Sequence, residues 1–243
     1  MSVPESPLTR KLSAFVALGD ADLETLARFY QRRRRFQSGH ELIHEGQTHA
    51  SAFILARGWA CSYKILPDGE RQIVDFQIPG DFLGLRSILF RTADHSIEAV
   101  TRIEASEVLA SDIFDAFSSA PRLATAVLWA ASRDEAMVVE HLVNLGRRSA
   151  QERMAHFLLE LGARLTLVGM GDMKGFACPL TQYHLADALG LSAVHVNRVL
   201  RQMRESDLVT FQKGRVVFGD FERLKELAGF DTAYLDQDGP LLR

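Results

Sequence analysis

The residues whose types and spacing best suit a specific chemistry lie between 180 and 209, in the segment LTQYHLADALGLSAVHVNRVLRQMRESDLV. Leu185 and Leu189 have the spacing of one buried helix face, Gly190 supplies a turn, and Ser192 can cap a second helix. Two helices joined by a short glycine-containing turn form a helix-turn-helix unit, whose second helix enters the DNA major groove by its N-terminal end. The pattern therefore predicts a DNA-reading unit.

The side chains at the start of the second helix suit the recognition of bases. An arginine can bond to O6 and N7 of guanine, an asparagine can bond to adenine, and hydroxyls near helix N-termini can meet phosphates. We predict nine DNA-binding residues: Thr181, Gln182, Ser192, Ala193, Val194, His195, Asn197, Arg198 and Arg201.

The basic charge of this segment is local. The whole chain has a formal net charge of −3, which argues against a surface coated for non-specific nucleic-acid binding. Residues 192–218 contain five Lys/Arg residues and two acidic residues, which gives this segment a net charge of +3. The LVTFQKGRVVF stretch that ends this region predicts a hairpin turning at Lys213-Gly214, and a helix-turn-helix followed by a hairpin is a winged helix. The competing interpretation, a generic helical hairpin with a solvated basic face, loses weight because of the wing.

The preceding part of the chain must position this unit. Residues 12–30 have helical apolar spacing, with Asp20 as the N-cap of the second half. From about 32 to 111, short apolar runs alternate with Gly, Pro and Asp, which predicts a small β sandwich or roll with a hairpin turn at PDGE, 67–70. Helical spacing returns over 112–119, and Pro121 begins a long helix that runs to about Leu145.

The long helix carries a heptad-like apolar stripe interrupted by a glutamate. Its members are Ala124, Leu128, Ala131, Glu135, Val138, Leu142 and Leu145. Periodicity alone leaves two interpretations open with equal weight: a helix packed on its own domain, and a helix that pairs with a second copy of the chain.

A hinge follows the long helix. Gly146 can end the helix, and Ser149 with Glu152 has the capping-box spacing that starts the next one, over 150–166. A polar glycine-rich loop is expected over 169–175. The resulting domain division is 1–118 for an N-terminal helix and β domain, 119–146 for the long helix, and 147–243 for a winged helix with a C-terminal tail.

Composition excludes several classes of protein. The two cysteines, Cys61 and Cys178, are too few for a disulfide framework or a four-cysteine cluster. No secretory leader follows Met1, and no apolar run is long enough to cross a bilayer, so we expect a cytoplasmic protein without a membrane partner. No nucleophile–base–acid constellation stands out, and we predict that the protein is not an enzyme.

Over nearly its whole length, from about Leu12 to Phe221, the chain resembles the CRP/FNR family of bacterial transcription regulators. The likeness rests on GHELIHEGQ, ILARGWACSYKILPDGERQIVDFQIPGDFLG and, most specifically, LGLSAVHVNRVLRQMRESDLV. The resemblance implies an α+β fold: an N-terminal double-stranded β-roll that binds an effector, a long dimerisation helix and a C-terminal winged helix-turn-helix. It implies a homodimer on a palindromic operator with half-sites roughly 34 Å apart, and RNA polymerase as a partner if the protein activates. It also favours dimerisation for the apolar stripe.

The effector site departs from the family pattern. Cyclic-AMP-binding members hold the ribose with a Gly-Glu pair and the phosphate with an Arg-Ser pair. Here the Glu position is Leu85 and the Arg position is His95, and neither replaces the lost contact. The tentative effector pocket consists of Gly84, Leu85, Arg86, Ser87, His95, Ser96 and Val138. We predict that cyclic AMP is not the effector, and we identify no cofactor and no metal site.

Three alternatives remain for the signal. One is an unidentified small molecule, apolar or acidic, with Arg86 and His95 as polar anchors. Another is a haem- or metal-dependent redox sensor on the same scaffold, although no cysteine precedes Cys61 to hold an iron–sulfur cluster, and HELIHEGQTH is interpreted as histidines on the roll surface. The third is a constitutive regulator whose apolar segment Leu85–Phe90 fills its own pocket.

The recognition helix also departs from the family. Its cyclic-AMP and oxygen sensors carry a Glu two residues after the capping Ser, where it reads cytosine, and this chain has Val194 there. A valine can contact a thymine methyl, so we expect a half-site that differs from TGTGA and TTGAT at that position. The Arg32–Arg35 run is interpreted as a strand edge in preference to a second DNA-binding patch, and a contact to RNA polymerase stays open as an alternative.

Overall fold

The computed structural model describes residues 6–48 and 51–235. The described residues divide into two compact units: residues up to 64 with 75–135, and 65–74 with 136–235. The domain division at 118 and 146 stays a prediction. His49 of the HELIHEGQTH stretch and the C-terminal tail from 236 onward lie outside the described residues.

The helices and strands follow the predicted order. The helices are α1 (Pro7–Ser13), α2 (Asp20–Phe29), α3 (Ala110–Ser119), α4 (Pro121–Arg147), α5 (Ala150–Leu167), α6 (Gln182–Leu189), α7 (Ala193–Glu205) and α8 (Phe221–Ala228). The strands are β1 (Arg33–Phe36), β2 (Glu41–Ile43), β3 (Ser51–Arg57), β4 (Ala60–Ile65), β5 (Arg71–Gln77), β6 (Phe82–Leu83), β7 (Ser96–Ala99), β8 (Ile103–Leu109), β9 (Gly171–Asp172), β10 (Gly175–Ala177), β11 (Val209–Gln212) and β12 (Arg215–Phe218). Short 3-10 turns occupy Leu85–Ile88 and Thr232–Leu235. Within the described part of the chain, no helix combines the length and the apolar character needed to cross a membrane.

The β-roll is built from two four-stranded sheets with the orders β1-β8-β3-β6 and β2-β7-β4-β5. Both sheets contribute to one apolar core, with Phe53 and Ile103 from the first and Ile43 and Ile97 from the second. Alternation of side chains along each strand directs these residues to the same interior. The predicted α+β fold with an N-terminal roll is confirmed.

Strand β1 lies at the edge of its sheet, as the arginine run predicts. Its first three residues are exposed, and the guanidinium groups lie beside two glutamates of the neighbouring β8. Arg33 and Arg35 approach Glu104 at 3.3 and 3.5 Å, and Arg34 approaches Glu107 at 3.5 Å. Charged side chains on an edge strand oppose pairing with another chain.

The first sheet is covered by a second apolar cluster that the helices supply. Leu12 of α1, Leu26 of α2 and Leu123 of α4 pack there with Ile54 and Val108 of the strands. A buried ion pair lies in the same unit: the Lys11 ammonium is 2.8 Å from the Asp81 carboxylate and 3.7 Å from that of Asp134.

The single helix predicted over 12–30 is wrong, because the structure has two helices separated by residues 14–19. The break is stabilised by tertiary contacts: Phe15 stacks on Trp129 with ring centroids 4.9 Å apart. The N-cap of α2 is Gly19, one residue before the predicted Asp20. Its backbone N–H donates to the Asp22 carboxylate at 3.0 Å.

The junction between α4 and α5 carries the predicted capping box. Ser149 Oγ accepts from the backbone N–H of Glu152, and the backbone N–H of Ser149 donates to the Glu152 carboxylate at 2.6 Å. That backbone hydrogen bond holds the pKa of Glu152 below its usual range. Gly146 does not end the helix as predicted. It lies within α4, which continues to Arg147.

Buried polar contacts link the end of α4 to α5. His141 Nε2 lies 2.8 Å from a carboxylate oxygen of the fully buried Glu160, and Tyr234 donates to the other oxygen at 2.8 Å. Asn144 Nδ2 lies 3.1 Å from His156 Nδ1. The other ring nitrogen of His156 lies 3.4 Å from the Glu140 carboxylate and has no hydrogen-bond partner among the described residues. Hydrogen-bonded buried polar pairs of this kind favour one arrangement of the helices.

The second unit is organised around α5, whose middle turns are buried nearly all round. The segment 169–175, predicted as a loop, instead contains β9 and begins β10, which extend the wing sheet in the order β11-β12-β10-β9. Gly175 is required there, because a side chain would overlap the carbonyl of Val216. The wing turn occurs at the predicted place, with Lys213 at φ 51° and Gly214 at φ 70°.

Candidate DNA interface and candidate effector pocket

Helix α6 begins and ends where its caps require. Thr181 Oγ1 accepts from the backbone N–H of His184, and the ring of His184 lies 3.1 Å from the backbone nitrogen of Thr181. At the other end Gly190 adopts φ 62°, the left-handed conformation that closes a helix at least cost in glycine. Leu185 and Leu189 are buried between these caps.

The C-terminal carbonyls of α6 are bonded by side chains that sequence reasoning missed. Arg153 of α5 donates to the carbonyl of Leu189 at 2.9 Å, and Gln72 donates to that of Ala188 at 3.3 Å. Arg71 pairs with Asp187 at 2.9 Å. The signal available in the sequence was weak: the last carbonyls of a helix need donors, but nothing local indicates which residues supply them.

Helix α7 buries one face and exposes the other. Ser192 Oγ accepts from the backbone N–H of His195 at 3.2 Å and so caps the helix. Val196, Val199 and Met203 are buried at three- and four-residue spacing. The opposite face of its first turns is therefore open to solvent, as a helix that enters a groove requires.

All nine predicted DNA-binding residues lie at the start of α6 or along α7. Seven of them are exposed, and Ala193 and His195 are half-buried. Val194 has 79% of its surface accessible. The structure therefore brings the nine residues to one region of the second unit, and their individual contacts to DNA stay predictions.

The polar members of this set differ in their partners. Arg201 Nε lies 2.8 Å from the Glu205 carboxylate, which raises the pKa of the Arg201 guanidinium and lowers that of Glu205. Asn197 Nδ2 donates to Gln182 Oε1 at 2.8 Å. Arg198 is exposed, and we find no hydrogen bond or ion pair to its side chain within the described ranges. Arg198 is thus the arginine most available to a base.

The first part of the candidate effector pocket is a left-handed turn followed by a 3-10 turn. Gly84 has φ 69°, and a side chain there would overlap Ile43. Leu85 packs with Ile88 against the helical cluster. Ser87 is fully buried, and its hydroxyl has no hydrogen-bond partner among the described residues.

Asp94, which the sequence analysis did not single out, joins two of the predicted pocket residues. Its carboxylate lies 2.8 Å from His95 Nδ1 and 3.3 Å from Arg86 Nη2. Arg86 Nη2 in turn lies 3.4 Å from the His95 ring. In the sequence ADHS, the position of Asp94 directly before His95 is the feature that indicates this contact.

The other predicted pocket residues have separate environments. Ser96 is buried and its hydroxyl accepts from the backbone N–H of Glu45 at 3.0 Å. Val138 lies on α4 in the second unit and is exposed. Leu89 and Phe90 are 74% and 52% exposed, so these two side chains do not fill the roll as the constitutive alternative supposes.

The histidines of the HELIHEGQTH stretch have ordinary partners where the structure describes them. His40 stacks on Phe36 with ring centroids 5.0 Å apart, and His44 Nδ1 lies 2.9 Å from the Glu41 carboxylate. Residues 6–48 and 51–235 contain no group of three His, Cys, Asp or Glu side chains placed to hold a metal ion.

Two family models match the chain, one for each part of this architecture. Residues 33–120 match a cyclic nucleotide-binding domain, and residues 152–227 match a Crp-like helix-turn-helix domain. The nitrogen fixation regulation protein FixK of Bradyrhizobium diazoefficiens is 32% identical to this chain over 81% of it and 82% of FixK. The transcriptional activatory protein AadR of Rhodopseudomonas palustris is 29% identical over 90% of both chains.

Solved structures give the same relationship. The structure of FixK2 from Bradyrhizobium japonicum has a TM-score of 0.73 and 26% identity, over 82% of this chain and 98% of that one. The structure contains the three parts that the sequence resemblance implies: the β-roll, the long helix and the winged helix-turn-helix. The chain therefore belongs to the CRP/FNR family, whose members are DNA-binding transcription regulators and not enzymes.

Proposed function

We propose that this regulator is a homodimer that reads a palindromic operator and responds to an effector other than cyclic AMP. The observation that carries the DNA-reading part is the open face of α7, where Val194, Asn197 and Arg198 are exposed over a buried apolar seam. A helix with this arrangement presents side chains to base edges while its other face is held by the domain.

Dimerisation is supported by an apolar stripe on α4. Of the predicted stripe, Leu128, Val138 and Leu142 are exposed and Ala124 is buried. Val139 and Val143 are also exposed, and helical spacing places them on the same side as the exposed stripe residues. Leu142 is 71% exposed. Exposed apolar side chains grouped on one helix face are typical of a protein interface.

Leu142→Glu tests the dimer. A glutamate at this position of the stripe must lose its hydration in the dimer, so we expect the variant to sediment as a monomer at concentrations where the unsubstituted protein is a dimer. Arg122→Glu, at an exposed position in the first turn of the same helix, is the matched control and should remain dimeric. A dimer of unchanged stability in Leu142→Glu would contradict the proposed interface.

The operator is tested by selection from random double-stranded DNA with the full-length protein. We expect a two-fold symmetric motif whose half-sites lie about one helical turn apart and differ from TGTGA and TTGAT where Val194 meets the DNA. Arg198→Ala should relax one base pair at a cost of about 1–3 kcal/mol. An unaltered TGTGA half-site would contradict the role given to Val194, and uniform weakening on all sequences would make Arg198 a phosphate contact.

The exclusion of cyclic AMP rests on two positions. Leu85 has no acceptor for a ribose hydroxyl and packs against the helical cluster. The His95 ring is engaged by the Asp94 carboxylate, whose charge opposes a cyclic phosphate. Isothermal titration with cyclic AMP should therefore detect no binding at micromolar concentrations, and micromolar or tighter affinity would refute this part.

We propose a small molecule as the effector, with Arg86 and His95 as the polar residues that contact it beside Asp94. Repeating the DNA selection with and without a bacterial metabolite extract tests whether any effector is needed. A motif enriched equally strongly in both selections would favour a constitutive regulator.

Activation is the direction that the relatives suggest, because AadR is described as a transcriptional activatory protein. RNA polymerase is then the partner. Transcription in vitro from a promoter carrying the selected operator tests this, and a decrease in transcript would identify a repressor.

A further inference from the structure

The open face of α7 contains a hydrogen-bonded pair of amide side chains. Asn197 of α7 and Gln182 of α6 are 15 residues apart in the chain, and both are exposed. Asn197 Nδ2 donates to Gln182 Oε1 at 2.8 Å and to the backbone carbonyl of Ala193 at 3.1 Å. The pair therefore links the two helices of the helix-turn-helix unit on the side that faces solvent.

This arrangement decides which half of the asparagine amide is available to DNA. A primary amide has two N–H donors and one carbonyl acceptor. Both donors of Asn197 are directed to protein oxygens, whereas Oδ1 has no partner among the described residues. The bidentate asparagine–adenine contact needs a donor and an acceptor from the same side chain, and Asn197 held in this way offers the acceptor alone.

A fixed acceptor has a defined partner among the bases. In the major groove the donating groups are the exocyclic amino groups, N6 of adenine and N4 of cytosine, while guanine and thymine present acceptors at the corresponding places. Val194, where family relatives place an acidic acceptor, has no polar atom. Asn197 lies one turn further along the same helix, so its oxygen can supply the acceptor that Val194 lacks.

Gln182 has a complementary arrangement. Its carbonyl oxygen accepts from Asn197, and its two N–H donors, at the start of α6, have no partner in the part of the chain that the structure describes. The first helix of such units crosses the DNA backbone, so these donors face phosphates. One glutamine can thus connect the backbone contact with the orientation of the base-reading side chain.

We propose that Gln182 is a positioning residue that holds Asn197 as an acceptor only, so that Asn197 selects adenine or cytosine at one position of each half-site. The proposal rests on the proposed function, because it requires that the start of α7 reads base edges. A purely structural role for this surface hydrogen bond would alter stability slightly and would leave base preference unchanged.

The test is selection from random double-stranded DNA with full-length protein and with four single variants: Asn197→Ala, Gln182→Ala, Gln182→Glu and the control Gln202→Ala. Gln202 is an exposed glutamine near the other end of α7. We expect the unsubstituted protein to restrict one position to A or C, and Asn197→Ala to lose about 5- to 100-fold of that discrimination. Gln182→Ala should relax the same position.

Gln182→Glu separates positioning from backbone contact. A glutamate still accepts from Asn197, so the A or C preference should persist, whereas binding to all sequences should weaken because the donors are replaced by a negative charge. Gln202→Ala should leave the motif unchanged. The double variant Gln182→Ala/Asn197→Ala should discriminate no worse than Asn197→Ala alone, since the two residues act through one contact.

Two results would overturn the positioning role alone. In the first, Gln182→Ala selects the same motif as the unsubstituted protein and binds all sequences more weakly by the same factor, so that Gln182 is a phosphate contact only. In the second, no position of the selected motif is restricted to A or C and also loses that restriction in Asn197→Ala. A third outcome, no enriched motif with the unsubstituted protein, would refute the proposed function itself and the positioning role with it. Thermal unfolding of each variant confirms that exposed substitutions leave the fold intact.

Discussion

Acidification should destabilise the second unit through one buried histidine. His156 of α5 is 1% exposed, and its Nδ1 faces the amide nitrogen of Asn144 at 3.1 Å. A nitrogen that accepts this hydrogen bond cannot also carry a proton, so the neutral ring is the form that the fold accommodates. Burial, reinforced by the charge of Arg148, lowers the pKa of His156 to about 4, against the opposing charges of Glu160 and Glu140.

The size of the effect follows from this lowered pKa. Well above pH 6.5 the histidine is neutral in the folded and unfolded chains and contributes nothing to the pH dependence. As the pH falls below 6.5 the unfolded chain binds a proton that the folded chain excludes, so stability is lost until the pH reaches about 4. Between pH 7 and pH 5 the loss amounts to about 2 kcal/mol.

Denaturant unfolding followed by circular dichroism at a fixed protein concentration measures this loss at pH 7 and pH 5. His156→Gln keeps an acceptor for Asn144 and cannot titrate, so the loss should shrink by about 2 kcal/mol in this variant. Glu160 does not interfere, since its pKa is lowered and its protonation begins at lower pH. His40→Gln, at an exposed position, is the control. Equal losses in the unsubstituted protein and in His156→Gln would refute the reasoning.

Three further substitutions have expected outcomes in thermal or denaturant unfolding. Lys11→Met removes a buried cation from Asp81, which should lower the free energy of unfolding by roughly 3–5 kcal/mol; an unchanged midpoint would mean that the pair is not buried in solution. Gly84→Ala forces a left-handed alanine against Ile43 and should cost about 2 kcal/mol or more, so a neutral result would contradict the turn geometry. Ser192→Ala removes the α7 cap and should cost about 1 kcal/mol, and hydrogen exchange in the first turn of α7 should rise accordingly.

The sequence predicted the parts of this fold that depend on local patterns. The helix-turn-helix unit needs only the caps Thr181 and Ser192, the left-handed Gly190 and a buried stripe, and each of these is visible within thirty residues. The wing turn at Lys213-Gly214 is local for the same reason.

The errors arose where distant residues decide the local structure. The break before α2 looks helical from its apolar spacing, but the stacking of Phe15 on Trp129 and the cap at Gly19 determine it. The sequence predicts a loop over 169–175, because no local signal shows that β10 pairs with β12, some forty residues later. Tertiary context overrides local propensity in both cases.

The candidate sites divide in the same way. The open face of α7 follows from its own period, whereas the Gln182–Asn197 hydrogen bond and the Asp94 contact to Arg86 and His95 require coordinates. A hydrogen bond between side chains of separate elements produces no periodic pattern in the sequence. The sequence therefore predicts the site residues but not their hydrogen-bond partners.

The left-handed conformation of Lys213 at the wing turn represents a compromise between folding and DNA affinity. A residue other than Gly, Asn or Asp is disfavoured at φ 51° by about 1 kcal/mol. A lysine at this position places a positive charge at the tip of the hairpin. A library at position 213 selected for thermal stability should therefore enrich glycine and asparagine, while one selected for DNA binding at low salt should retain lysine and arginine. If the two selections enrich different residues at position 213, the lysine at the wing tip lowers the stability of the fold and raises the affinity for nucleic acid.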